Sequence, residues 1–299
     1  MNWASAGVAA WVDKIILEEG YGCDVTLVTG DTMPTFASMN EKGDPDIAPE
    51  LWGNAVKLAL DTAVSEDRMV ITANILQDGG VEGWWIPKYT AEAHPEFKTV
   101  EDALKHPELF PNPEDPSTGA LFNCPSGWNC QISTENLYRA YGAEAKGFEL
   151  VDTGSAAGLD GSIASAYERK QAWFGYYWAP TAILGKYPMV KLDAGVPNDK
   201  AEWDACTSQP ECPEPKPNAY PTSDVFTVVT KAFSEKNAVA MDYLKARSWS
   251  NELVGKFLAW QTDNQGTNED TAYHFLETYP EVWKAWVSPD VAAKVEKAL

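Results

Sequence analysis

The chain has 299 residues, 44% of them hydrophobic, and a formal net charge of −21. At roughly 100–200 residues per domain that length suggests about two domains with a proper core. The charge excludes nucleic acid as a default partner, because phosphate requires a basic surface, and it favours a soluble monomer.

In chain order, Ser5 is expected to cap a helix around Val8–Ile16 that ends at Gly20. A strand is expected over Asp24–Val28, a helical piece over Pro34–Met39, a short strand over Pro45–Glu50 ending before Leu51, and another strand over Met69–Ala73. This β-α-β-α order implies an α/β sheet flanked by helices. From about Gly83 the pattern describes a second lobe. It holds a strand at Trp84–Ile86, a Pro-rich loop at Pro111–Pro116, a helix near Ser133–Tyr141, a strand at Phe148–Asp152, a helix at Gly161–Arg169 and a strand at Ala172–Tyr177. A Pro-rich stretch at 213–221 precedes a buried-type strand, Val225–Val229, and helices at Ala238–Ala246, Asn251–Gln261 and Glu269–Thr278. The chain is thus expected to leave a first lobe (1–82 and 221–299), build a second (83–220) and return through crossings near 82 and 221. Such lobes hold ligands in the cleft between them.

The five cysteines are informative by spacing. Cys124 and Cys130 bracket five residues, as do Cys206 and Cys212, and both loops contain proline, so two local disulfides are expected. That places the protein in an oxidising compartment. A zinc site is a weaker alternative, since there is no CxxC and His94, His106 and His274 lie away from these pairs. Cys23 is left over as a buried free thiol beside the expected strand at 24–28.

No GxSxG, Walker loop, HExxH or GxGxxG is present, and no enzyme is expected. The positive signal is tryptophan: thirteen in the chain, several on turns. Trp52 follows a strand end, Trp128 sits in the first cysteine loop just before a helix start near Gln131, and Trp178 follows a strand. Strand ends facing a cleft are where α/β proteins place ligand groups. A quaternary ammonium donates no conventional N–H hydrogen bond, but aromatic faces attract its diffuse charge and cover its methyls, each desolvated face contributing about 2 kcal/mol. Three or four faces give roughly 6–8 kcal/mol, enough in order of magnitude for micromolar binding. An anionic end of the ligand needs donors, which the backbone N–H groups of Asn129, Cys130 and Gln131 offer at a helix N-terminus.

The run Cys124-Pro125-Ser126-Gly127-Trp128-Asn129-Cys130 resembles the Cys-Asn-Pro-Gly-Trp-Gly-Cys type loop of periplasmic glycine betaine/proline betaine binding proteins. Tyr176-Tyr177-Trp178-Ala179-Pro180 is similar to that family's Tyr-Thr-Trp-Thr-Pro turn, and Trp52 stands in the place of its first box tryptophan. The resemblance runs from Trp3 to about Trp286. It implies a two-lobed periplasmic-binding-protein fold (type II), each lobe a mixed sheet flanked by helices, serving an ABC transporter permease from the periplasm or another extracytoplasmic place. It implies an aromatic box of Trp52, Trp128 and Trp178, with Trp3 and Trp84 as further candidates. Glu82, beside the expected hinge, is a candidate to touch the cationic head or water in the cleft, with a solvated hinge acid as the alternative. Two departures matter. Where family members can carry a carboxylate-binding His after the first Trp, Val56 stands here, which favours a smaller anionic end, as in trimethylamine N-oxide. Family members also carry a strand immediately before the Asn-Trp segment, where this sequence has only Met1, and Met1–Ser5 lacks signal-peptide character, so a signal is expected to have been removed or to lie upstream.

The resulting expectation is a solute-binding protein for a small methylated-ammonium osmolyte, trimethylamine N-oxide or glycine betaine, with no cofactor required. A carbohydrate-binding protein or glycoside-active enzyme is the alternative, since sugar sites also stack on Trp. Asn112, Glu114 and Asp115 offer hard oxygens close together and form a candidate structural calcium loop, though not of EF-hand pattern.

Overall fold

A computed structural model describes residues 1–299. Eight strands form in chain order: β1 (Ile47–Trp52), β2 (Met69–Asn74), β3 (Val81–Pro87), β4 (Gly119–Phe122), β5 (Phe148–Val151), β6 (Gly175–Ala179), β7 (Met189–Lys191) and β8 (Val225–Thr230). They make two sheets, β1-β8-β2 and β5-β4-β6-β3-β7, which belong to two compact units. One unit comprises Met1–Gly80, Pro180–Ala182 and Ser223–Leu299; the other comprises Val81–Ala179 and Ile183–Thr222. Each is a mixed α/β body.

In the first unit β8 is central and antiparallel to both neighbours. A core of Phe36, Met39, Leu51, Val56, Leu60, Met69 and Val228 packs on this sheet. The register of β1 against β8 shifts between Ala48 and Leu51, so Pro49 and Glu50 form a bulge. Proline suits that position because it has no N–H to offer the ladder, and its carbonyl instead accepts from Thr227 Oγ1 at 2.9 Å. The bulge is braced from beneath by the fully buried Arg247, whose guanidinium reaches Pro49 O and Thr227 Oγ1 and pairs with Asp13 at 2.7 Å.

Several expectations shift by identifiable physics. Ser5 is not a cap: the helix Ala4–Ile15 starts on Trp3, and Ser5 lies buried within its first turn. The segment 24–28 alternates in exposure, yet it forms no strand. A strand needs a ladder partner, and Val25–Val28 instead line a groove of about 740 Å³ that Ile47–Pro49 also line. Cys23 is free but half-buried rather than enclosed beside a sheet. The short strand expected to stop at Glu50 runs on through Trp52, because the bulge restores pairing at Leu51 with Phe226.

In the second unit β4 pairs parallel with β5 and β6, while β3 runs antiparallel to β6 and β7. The helix expected from Ser133 begins earlier, at Asn129, directly inside the first cysteine loop. The strand expected to end at Tyr177 continues through Trp178 to Ala179.

Candidate ligand-binding site

The strand directions of the second unit bring three sequence-distant segments to one sheet edge. β4 and β6 are parallel, so their C-terminal ends lie on the same edge, and antiparallel β3 presents its N-terminal end there. Glu82 is the direct partner of Trp178, and Trp84 of Tyr176. Because side chains alternate along a strand, Glu82, Trp84, Tyr176 and Trp178 share one face, with Tyr177 and Trp85 on the other. β4 leads through Asn123 into the cysteine loop, where Trp128 is the N-cap residue of the helix Asn129–Ala140.

On that face Trp128 and Trp178 meet edge to face, with centroids 5.0 Å apart and planes at 80°. Tyr176 lies near-parallel to Trp178 at 6.3 Å, and Tyr220 follows at 5.9 Å from Tyr176. Two indoles set nearly at right angles can cover two sides of a tetrahedral methylammonium group. The loop that holds Trp128 is clamped: Cys124 and Cys130 are disulfide-bonded, Ser126 Oγ donates to Asp152 at 2.9 Å, and Asn123 Oδ1 accepts from Cys124 N at 2.8 Å. Cys130 and Asn129 thus form the first turn of the helix, whose opening N–H groups point along its axis. Gln131 differs from expectation, since its N–H donates back to Trp128 O at 3.1 Å.

Glu82 is buried on the same face and accepts from Tyr176 Oη at 2.7 Å. Burial pushes its carboxyl up to about 7, against the opposing pull of the Tyr176 hydrogen bond and the Lys191 ammonium. Lys191 Nζ donates to the Glu82 carbonyl at 3.3 Å, and burial lowers its own affinity for a proton. A small cavity of about 130 Å³ adjoins Glu82 and is also lined by Trp84, Tyr141, Lys191, Asn218 and Tyr220. Trp84 itself is packed between Tyr141 and Phe174, each 5.7 Å away, so it belongs to the aromatic core behind Glu82 rather than beside Trp128.

The first unit gathers the other two candidates. Trp3 and Trp52 both donate their indole N–H to Glu50 Oε1, at 2.6 and 3.1 Å. Ser5 Oγ donates to the same oxygen at 3.0 Å. Gly80 lets the Trp52 indole lie against the backbone, because a Cβ there would meet Cζ3 of the ring at 2.2 Å. Glu50 was not singled out from the sequence. Its only signal there was a Glu two residues before a Trp, and the bulge that aims it depends on pairing with β8. Val56, at the position where a His was sought, is a core residue and offers no polar atom.

The remaining sites fall as follows. Cys206 and Cys212 form the second disulfide. Asn136 binds the carbonyls of Cys206, Thr207 and Gln209, which ties that loop to the helix behind Trp128. Around the candidate calcium loop, Asn112 Nδ2 donates to Glu149 at 2.7 Å and Asn112 Oδ1 accepts from Glu114 N. Asp115 Oδ1 accepts from both the N–H and hydroxyl of Ser117. No set of three or more His, Cys, Asp or Glu side chains gathers as metal ligands. Several other tryptophans serve the cores: Trp85 donates to Tyr177 O, Trp173 stacks on Phe122, Trp249 packs against Phe257 and Phe275, and Trp283 donates to Leu276 O.

A family model described as the substrate binding domain of the ABC-type glycine betaine transport system (OpuAC) matches residues 1–278. Among solved structures, a glycine betaine, L-proline ABC transporter binding protein (ProX) from Borrelia burgdorferi is similar at a TM-score of 0.76 and 18% identity, covering 99% of this chain and 97% of that one. An ABC-transporter choline binding protein in complex with choline gives 0.76 at 17%, covering 99% and 95%. Lactococcal OpuAC, complexed with glycine betaine, gives 0.71 at 16%, covering 96% and 97%. At these identities the structural likeness establishes the two-lobed binding-protein fold. No helix is long and apolar enough to cross a membrane.

Proposed function

Because the chain belongs to the family of substrate-binding domains of ABC-type glycine betaine transport systems, a family of solute-binding proteins and not a known enzyme class, we propose that its ligand is a small methylated-ammonium osmolyte. Trimethylamine N-oxide is favoured over glycine betaine. Outside the membrane, the loaded protein delivers its ligand to an ABC permease.

The observation that carries this reading is the pairing of perpendicular indoles, Trp128 and Trp178, with a buried carboxylate on the same sheet face. Indole faces attract a diffuse cation and cover its methyl groups. Ionised Glu82 supplies an opposite charge to the ammonium end. The first turn of the helix at Asn129 and Cys130 offers N–H groups to a compact anionic end. Val56 brings no cationic or hydrogen-bonding side chain for a full carboxylate, which is why the smaller oxide is favoured. Choline and glycine betaine are the ligands of the similar solved proteins and are the natural competitors.

Calorimetric titration with trimethylamine N-oxide, glycine betaine and choline tests the proposal. Micromolar binding of at least one, with a change in tryptophan fluorescence, is expected. Binding of none would refute it, and choline or glycine betaine binding much more tightly than the oxide would refute the preference.

A further inference from the structure

Glu50 is fully buried, and its hydrogen-bond donors are neutral: the indole N–H groups of Trp3 and Trp52 and the hydroxyl of Ser5, all converging on Oε1, while the Met1 ammonium is the nearby positive charge that also favours its ionised form. Its second oxygen, Oε2, is buried with no hydrogen-bond partner. Orienting two indoles requires only one acceptor, which a glutamine would supply without charge. Three donors on one oxygen favour the ionised form, while burial opposes it and pushes the carboxyl up. The side chain is aimed by the Pro49–Glu50 bulge, a device that re-directs side chains beside functional sites. Burying a carboxylate whose direct hydrogen-bond donors are all neutral is costly, and each positive charge brought close lowers that cost.

We propose that Glu50 is the charge-setting and positioning residue of the Trp3–Trp52 surface, making it select a cation over a neutral group of the same shape. Hydrogen bonding of an indole N–H to an anion drives electron density into the ring, which strengthens its attraction for a cation lying on its face. The carboxylate also acts directly as a nearby negative charge in a medium that screens it weakly. The inference rests on the functional reading above and extends it: the tryptophans cover the methyl groups, and Glu50 decides that what they cover must be positive.

The test compares wild type, Glu50→Gln and Glu50→Leu. Each is titrated with whichever of trimethylamine N-oxide, glycine betaine or choline the wild type binds, and with glycine betaine's or choline's tert-butyl analogue, in which carbon replaces the ammonium nitrogen. Glu50→Gln keeps an acceptor for both indoles and removes the charge. Its affinity for the ammonium ligand is expected to fall about tenfold, ~1.4 kcal/mol, with the tert-butyl analogue bound as by wild type and the tryptophan emission maximum unmoved. Glu50→Leu is expected to lose more and to shift the emission; should it fail to fold, the Gln variant carries the test alone. Unchanged affinity of Glu50→Gln for both ligands, or an equal loss for both, would overturn the charge-setting role. A wild-type protein that binds none of the ammonium compounds is a different result and would overturn the functional reading together with this extension.

Discussion

Glu82 is expected to make ligand binding and folding stability respond to pH in opposite directions. Burial raises its carboxyl from the ordinary 4.5 to about 7, with Tyr176 and Lys191 pulling the other way. If a cationic ligand requires the ionised form, that form makes up about 90% of the protein at pH 8 and about 10% at pH 6, so affinity is expected to fall about tenfold across that interval. For the unliganded protein the sign reverses. A carboxyl that holds its proton more tightly when folded contributes stability that is fully present below the unfolded value and is lost as pH rises through about 7. The difference between the ordinary carboxyl and one raised to about 7 corresponds to about 3 kcal/mol. Calorimetric titration at intervals from acidic to mildly alkaline pH reads the affinity, and urea unfolding over the same range reads the stability. Glu82→Gln is expected to flatten both profiles in this window, which separates Glu82 from other titrating groups such as Glu50. A wild-type affinity that stays level from pH 6 to pH 8, or a slope that survives in Glu82→Gln, would refute the reasoning.

Trp128→Ala and Trp178→Ala are each expected to weaken binding at least about tenfold, because one desolvated aromatic face contributes roughly 1.4–2 kcal/mol; Phe at either position should cost less, and near-wild-type affinity in both Ala variants would remove the box. Mass mapping without reductant is expected to find Cys124 joined to Cys130, Cys206 to Cys212, and Cys23 free. Replacing Cys124 and Cys130 by Ser should weaken binding as well as lower the melting temperature, since that ring orients Trp128. For the 112–117 loop, where Asn112 Oδ1 accepts from Glu114 N and Asp115 Oδ1 accepts from Ser117, a chelator is expected to leave the melting temperature unchanged. A fall restored by calcium but not magnesium would instead establish a structural calcium ion there.

The sequence by itself determined the features whose physics is local. A six-residue separation between cysteines closes a small ring whatever surrounds it, and a Trp held in that ring before a helix start is placed by its neighbours, so the Trp128 loop and both disulfides were legible. The alternating α and β periods fixed the α/β class in the same way. Tertiary structure decided what depends on partners far along the chain. The segment at 24–28 has the alternation of a strand but lacks a ladder, and no local pattern carries that information. Glu82 meets Trp178 only through the antiparallel register of β3 and β6. Glu50 reaches Trp3, 47 residues away, only because β1 bulges where Pro49 interrupts its pairing with β8. A carboxylate in a sequence rich in acids reads as surface charge, and only the tertiary structure shows Glu50 buried, with two indoles and a hydroxyl converging on one of its oxygens.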